Sequence, residues 1–283
     1  MQIKSLEKEL ISSLQPLERE ARPTARLILE HFTGADAVSV TLSPEREVGE
    51  PVVARIRDAV CEIMKGRPLQ YVLNESWFYG RRFKVDERVL IPRPETEELV
   101  HWLLAEHSDA ARCRLADWCT GSGCIAVTVA KERPSWECLA MDAYAPVLGL
   151  ARENGELLGA AVQWQQRDLL ADAVLPNEMG HYDLIACNPP YVREGERSRV
   201  PDRVKSYEPA SALFVPDDDP LRFYRAVAGW GLQALRDEGE IYMEINECLG
   251  METAKLLQSK GYDVELRRDM QGKERMIKAI KRK

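Results

Sequence analysis

The sequence predicts an α/β chain in two parts: a small helical region, then an open, mostly parallel sheet of seven strands. Three observations carry this. Apolar residues in the first seventy positions recur at helical spacing. Beyond them, short apolar runs alternate with helical stretches, and the runs end on a glycine turn or a polar residue. The last two runs, Tyr262–Leu266 and Arg275–Ile280, resemble an antiparallel finish.

Residues 1–70 open the chain. Leu6, Leu10, Leu14 and Leu17 share a helical face, as do Ala25, Ile28, Leu29 and Phe32, and later Val52, Ile56, Val60 and Ile63–Met64. Ser43-Pro44-Glu45 reads as a helix start. Such stripes are core, so no site is assigned to them. Tyr71 to Ile91 alternates and reads as a hairpin linker with Gly80 near its turn. Ile91-Pro92-Arg93-Pro94-Glu95-Thr96 is stiffened by its prolines, and Glu95 or Thr96 opens a helix to about Glu106. Arg93 is either a carboxylate partner or part of a rigid linker. Residues 92–283 form the sheet domain.

Leu115–Cys119 reads as a buried strand, Thr120-Gly121-Ser122-Gly123 as a turn, and Cys124–Ala130 as a helix packed on the sheet. Strand, glycine turn and helix make a nucleotide-type cradle: glycines let the backbone approach a ligand, and helix N–H groups point into the turn. Asp142 ends the next run, about 20 residues on, where a carboxylate accepts from ribose hydroxyls. Ala126 stands in the last glycine position of a dinucleotide fingerprint. The expected ligand is therefore an adenosine without a pyrophosphate, and S-adenosylmethionine fits. Arg167-Asp168-Leu169 follows a third run, Ala161–Gln166. Asp168 either accepts from an adenine amino group, with Leu169 against the ring, or caps the next segment.

The fourth run, Tyr182–Cys187, delivers Asn188-Pro189-Pro190-Tyr191 to the same sheet edge. Two prolines fix φ and remove N–H groups, which leaves carbonyls to accept. Asn188 adds a side-chain acceptor, and Tyr191 an aromatic face. Such a loop grips a planar NH2 group; the alternative is a rigid strand-exit turn. A long charged segment, Arg193 to Asp219, follows as a candidate lid. Then come a helix (Leu221–Leu235), a strand (Glu240–Ile245) and a helix (Met251–Ser259).

Composition narrows the function classes. Net charge is −7, with acidic and basic residues interspersed, which disfavours extended nucleic-acid contact. No apolar run approaches the roughly 20 residues of a membrane span, and the first residues read as an amphipathic helix rather than a signal peptide. A cytoplasmic protein is expected. Seven cysteines without a C-x-x-C pair, and four scattered histidines, point to neither disulfides nor a structural metal. Cys119, Cys124 and Cys187 read as buried packing residues, Cys119 close to the cofactor turn.

The motifs together resemble the HemK/PrmC family of release-factor glutamine methyltransferases. Gly66-Arg67-Pro68-Leu69-Gln70-Tyr71, Ile91–Thr96, Thr120–Gly123, Asn188–Tyr191 and Tyr207-Glu208-Pro209 carry the resemblance, which runs from about Lys65 to the end. It implies a seven-stranded Rossmann-like class I methyltransferase domain behind a helical domain that helps hold the release factor. It implies S-adenosyl-L-methionine as cofactor and, as substrate, the glutamine of the Gly-Gly-Gln loop of class I peptide-chain release factors, methylated on its side-chain amide nitrogen. By the same resemblance Cys119, Thr120, Gly121, Ser122, Gly123, Asp142, Leu169 and Asn188 contact the cofactor. Asn188, Pro189, Pro190 and Tyr191 hold the glutamine. Cys119 replaces a frequent glycine, which an ordinary φ would tolerate, and Leu169 replaces an aromatic of some members. Two rivals stand beside this reading. An adenine-amino DNA methyltransferase would add a recognition region and a basic groove, and neither is seen. A non-catalytic module on the same fold would not need the intact Asn188 loop or Asp142.

Overall fold

A computed structural model describes residues 1–283. The chain divides into two compact units, Met1–Glu75 with Asp202–Tyr207, and Ser76–Pro201 with Glu208–Lys283. No helix is long and apolar enough to cross a membrane.

The first unit is built from α1 (Ile3–Ser13), α2 (Ala21–Thr33), α3 (Ala37–Leu42), α4 (Glu50–Met64) and α5 (Leu69–Leu73). The leucine stripe of α1 is buried, and Ile3, Leu6 and Leu10 pack with Ala25 and Ile28 of α2 and with Val53 and Ile56 of α4. Two expectations fail here. Ser43-Pro44-Glu45 is a turn, because the chain stays extended through the Gln2–Glu47 bridge. The helix opens later, at Glu50, with Gly49 as its cap and Pro51 in its first turn, where the missing N–H costs nothing. Tyr71 belongs to α5, which ends at Asn74 in the left-handed conformation, so the hairpin is shorter than its alternation suggests.

That hairpin is β1 (Glu75–Phe78) and β2 (Arg81–Lys84), with Tyr79 and Gly80 both at positive φ in its turn. The second unit continues with α6 (Pro94–Glu106), β3 (Arg114–Trp118), α7 (Cys124–Glu132), β4 (Glu137–Asp142), α8 (Ala145–Leu158), β5 (Val162–Gln166) and β6 (Tyr182–Cys187). A two-residue strand, β7 (Val192–Arg193), pairs in parallel with β8 (Phe214–Val215) and folds the intervening segment back. Between them lies α9 (Asp202–Tyr207), which groups with the helical unit. Then follow α10 (Arg222–Ala234), β9 (Leu235–Glu244), α11 (Gly250–Ser259), β10 (Tyr262–Arg268) and β11 (Glu274–Lys281).

The sheet has seven strands in the order β10-β11-β9-β6-β3-β4-β5, parallel except for β11, which runs antiparallel to both neighbours. The central strands β3, β4 and β6 are covered on both faces, which is why they read as mostly apolar runs, whereas the outer strands β5 and β10 alternate with polar residues. Along β6, Ile185 and Cys187 enter the core shared with α10 and α11, while Leu184 and Ala186 enter the one shared with α6 and α7. The helix α10 lies so close to the sheet that a Cβ on Gly231 would stand 2.6 Å from the Tyr262 hydroxyl and 2.7 Å from Ile241.

Candidate active site at the sheet switch point

From β3 the chain moves outward through β4 and β5, then returns to place β6 on the other side of β3. At such a reversal the connections leave in opposite directions and open a crevice at the carboxyl ends of the strands. A cavity of about 180 Å³ lies there, walled by Thr120–Ser122, Asp142, Asp168–Leu170, Asn188 and Pro190. The start of α6 closes one side with Arg93 and Thr96, and Phe223 of α10 closes another.

The glycine turn is tied down from beneath. Asp117 is fully buried, and its Oδ2 accepts from the Thr120 hydroxyl at 2.6 Å and from the Ala126 N–H at 3.1 Å, one partner on each side of the turn. Its Oδ1 is buried without a partner. Burial pushes this carboxyl up to about 7; the two donors oppose the rise and the charge of Asp142 adds to it. Gly121 has φ +55°, and a Cβ there would meet nothing within 4 Å, so the space before it is open cavity. Gly123 stands one step behind the wall with φ +80°, where a Cβ would press on Trp164 at 3.1 Å and Ala151 at 3.2 Å. Cys119 corrects an expectation. Its φ is +61°, not ordinary, so it adopts the left-handed conformation that glycine enters freely. It is also partly exposed on the cavity wall, whereas Cys124 and Cys187 are buried.

Asp142 joins the second strand to this turn. Its Oδ2 accepts the Gly121 N–H at 3.1 Å and its Oδ1 the Tyr144 N–H at 3.2 Å, while burial raises its carboxyl pKa. Asp168 caps its own segment by accepting the Leu170 N–H at 2.8 Å, and it also lines the cavity beside buried Leu169.

Asn188 sits on the wall with its Nδ2 donating to the Thr96 hydroxyl oxygen at 3.0 Å. Pro190 shares the wall; Pro189 and Tyr191 lie off it. The Tyr191 hydroxyl instead donates to Glu244 Oε1 at 2.6 Å, and its carbonyl accepts from Asn246 at 3.0 Å. Burial and the neighbouring Glu244 hold the phenol proton in place. Downstream, Glu208 of the Tyr-Glu-Pro segment is buried, accepts the Ile91 N–H at 3.1 Å and pairs with Arg93. The carboxylate partner of Arg93 therefore comes from the chain itself. Pro209, Ser211 and Ala212 follow Glu208 onto the wall. Sequence reasoning missed the Thr96 side chain as a site residue, along with Glu244 and Tyr144.

The residues suit a sulfonium-bearing adenosine. A carboxylate, Asp142, sits at the end of β4, apolar Leu169 and Ile125 line the same cavity, and open space lies in front of Gly121. Comparison with known proteins agrees. Residues 98–204 match the methyltransferase small domain family, and residues 7–73 match the PrmC N-terminal domain family. The chain is 35% identical to the release factor glutamine methyltransferase of Flavobacterium psychrophilum, over 98% of this chain and 99% of that one. It is 36% identical to the one from Bacteroides thetaiotaomicron, over 96% of both chains.

The chain belongs to the release factor glutamine methyltransferase family.

The Bacillus subtilis member is 35% identical over 90% of each chain. Among solved structures, a Pyrococcus furiosus methyltransferase superposes with a TM-score of 0.52 at 15% identity, over 81% of this chain and 98% of that one. The hMettl16 catalytic domain does so at 0.56 and 17%, over 82% of both. At these identities the likeness is one of fold. Membership of the glutamine methyltransferase family makes the chain an enzyme and S-adenosylmethionine its methyl donor.

Proposed function

We infer that this enzyme transfers the methyl group of S-adenosylmethionine to the side-chain amide nitrogen of the glutamine in the Gly-Gly-Gln loop of class I release factors. The observation that carries the reading is Asn188. Its NH2 is committed to Thr96, so its Oδ1 is the end left to accept at the cavity wall. A primary amide nitrogen is a poor nucleophile because its lone pair is delocalised. In this reading its two hydrogens are accepted by Asn188 Oδ1 on the cavity wall and by the carbonyl of Pro189, which stands in the chain between the wall residues Asn188 and Pro190 and on which no backbone hydrogen bond ends. That grip orients the nitrogen and eases its pyramidalisation, and Tyr191 steadies the loop from behind.

When bound, the cofactor supplies an electrophilic methyl on a sulfonium. We assign Cys119, Thr120, Gly121, Ser122, Gly123, Asp142, Asp168 and Leu169 to holding it, with Asp142 toward the ribose. Alignment of this kind contributes on the order of 7–11 kcal/mol to a displacement. We assign residues 1–70 to the protein partner, 71–91, which include the hairpin Glu75–Lys84, to the linker, and 92–283 to catalysis; the cavity wall runs from Arg88 and Leu90 at the end of the linker to Phe223, with no residue from 1–70. A cytoplasmic site of action and no stable nucleic-acid binding follow from a release-factor substrate and from the mixed surface charge.

The test is Asn188→Ala in single-turnover methylation of an intact release factor, with cofactor affinity measured in parallel. Transfer should be lost while the cofactor still binds. Near-normal transfer by the variant would reduce the loop to a rigid turn.

A further inference from the structure

Glu244 ends β9 and is 1% exposed. Each of its carboxylate oxygens accepts one hydroxyl: Oε1 from Tyr191 at 2.6 Å, Oε2 from Thr96 at 2.7 Å. Thr96 is itself 2% exposed, in the first turn of α6. A hydroxyl has a single hydrogen. With that hydrogen spent on Glu244, the Thr96 oxygen can only accept, and it accepts from Asn188 Nδ2 at 3.0 Å. Turning the Asn188 amide over would set its carbonyl against the lone pairs of Thr96. The polarity therefore runs in one direction, from Asn188 NH2 through the Thr96 hydroxyl to the Glu244 carboxylate.

We propose that Glu244 and Thr96 are positioning residues which dictate that Asn188 presents its carbonyl oxygen, and not its NH2, to the substrate. The proposal rests on the glutamine-methylation reading and deepens it. Glu244 also holds Tyr191, so one buried carboxylate anchors both ends of the Asn188–Tyr191 loop. Burial raises the Glu244 carboxyl pKa, and the Tyr191 and Thr96 hydroxyls oppose that rise, as does the positive charge of Arg275. Arg275 is itself paired with Glu247 at 2.9 Å and with Asp269 at 3.5 Å. The device selects for donors. A loop with this polarity accepts from an amide NH2 and would set acceptor against acceptor for a carboxylate, so glutamine is favoured over glutamate by charge and by hydrogen-bond direction together.

The test uses the full chain with Thr96→Val, Thr96→Ser and Glu244→Gln. Valine keeps the shape and removes the relay; serine keeps the hydroxyl. The Glu244→Gln change puts a donor where an acceptor stood, which lets the Thr96 hydrogen turn toward Asn188. Thr96→Val and Glu244→Gln should lower kcat about 100-fold, the scale of a misplaced reacting group. KM for release factor and cofactor affinity should stay within about threefold, and Thr96→Ser should recover most of the loss. The Asn188 side-chain NH2 resonances of labelled protein should shift in Thr96→Val and return in Thr96→Ser. That signal reports the relay without any turnover. Wild-type protein inactive on release factors would overturn the function while the resonances still judged the relay. Unshifted resonances, a near-normal kcat in Thr96→Val, or serine as poor as valine would overturn the relay itself.

Discussion

Asp117→Asn should stabilise the catalytic unit, and the gain should grow with pH. The native carboxyl is pushed up to about 7 from an ordinary 3.8, because it is fully buried with one oxygen unpartnered. The sign follows from proton binding. The native state holds this proton longer than the unfolded chain, so the stability linked to it is complete below about pH 3.8 and is lost as pH rises through about 7. A rise of about three units at about 1.36 kcal/mol each sets a ceiling near 4 kcal/mol, of which about 2–3 kcal/mol falls between about pH 5 and about pH 8.5. Asparagine cannot ionise and still offers a carbonyl to Thr120 and Ala126. All six tryptophans, Trp77 to Trp230, lie in the catalytic unit, so their fluorescence follows its unfolding alone. Urea titrations of cofactor-free wild type and variant should therefore diverge by about 2–3 kcal/mol across that range. A gap that stays constant, or narrows as pH rises, would show that Asp117 is not neutralised in the native state.

Asp142→Ala should weaken cofactor binding by about 1.5–3 kcal/mol without unfolding the protein, since it removes a charged acceptor and frees the Gly121 N–H; wild-type affinity in calorimetric titration would exclude Asp142 from the site. Gly231→Ala should destabilise the catalytic unit by about 1–3 kcal/mol, because the new methyl would displace Tyr262 and Ile241. Unchanged urea midpoints would show that α10 yields there without strain.

Much of the sheet was legible because both of its faces are buried. Leu184–Cys187 and Cys138–Met141 announce themselves as apolar runs, and Asn188 and Asp142 stand out as the polar residues that end them. What stayed hidden depends on partners far along the chain. Thr96 after a proline reads as a helix cap, and its role appears only with Glu244, 148 positions away. Arg93 and Glu208 are separated by 115 positions, and neither motif says that one satisfies the other. The conformation of Cys119 has no local mark, since nothing in a cysteine itself signals positive φ; its one trace is the glycine frequent at that position in the resembled family. The misplaced helix start at Ser43 has a local cause: Ser-Pro-Glu is a good helix opening, overruled here by the extended segment that follows it.

The helix Asp202–Tyr207 groups with the helical unit although its flanking residues, Pro201 and Glu208, belong to the catalytic one. Arg203 faces Glu20 at 3.3 Å, and the Tyr207 hydroxyl reaches the Lys65 carbonyl at 3.5 Å. The polypeptide therefore passes between units three times, after Glu75, after Pro201 and after Tyr207. Modular exchange by a single splice near residue 75 would graft a foreign bundle onto a hexapeptide shaped for the old one. A working chimera has to carry both pieces, so the bundle and a stretch of sequence more than a hundred residues downstream travel as one heritable block.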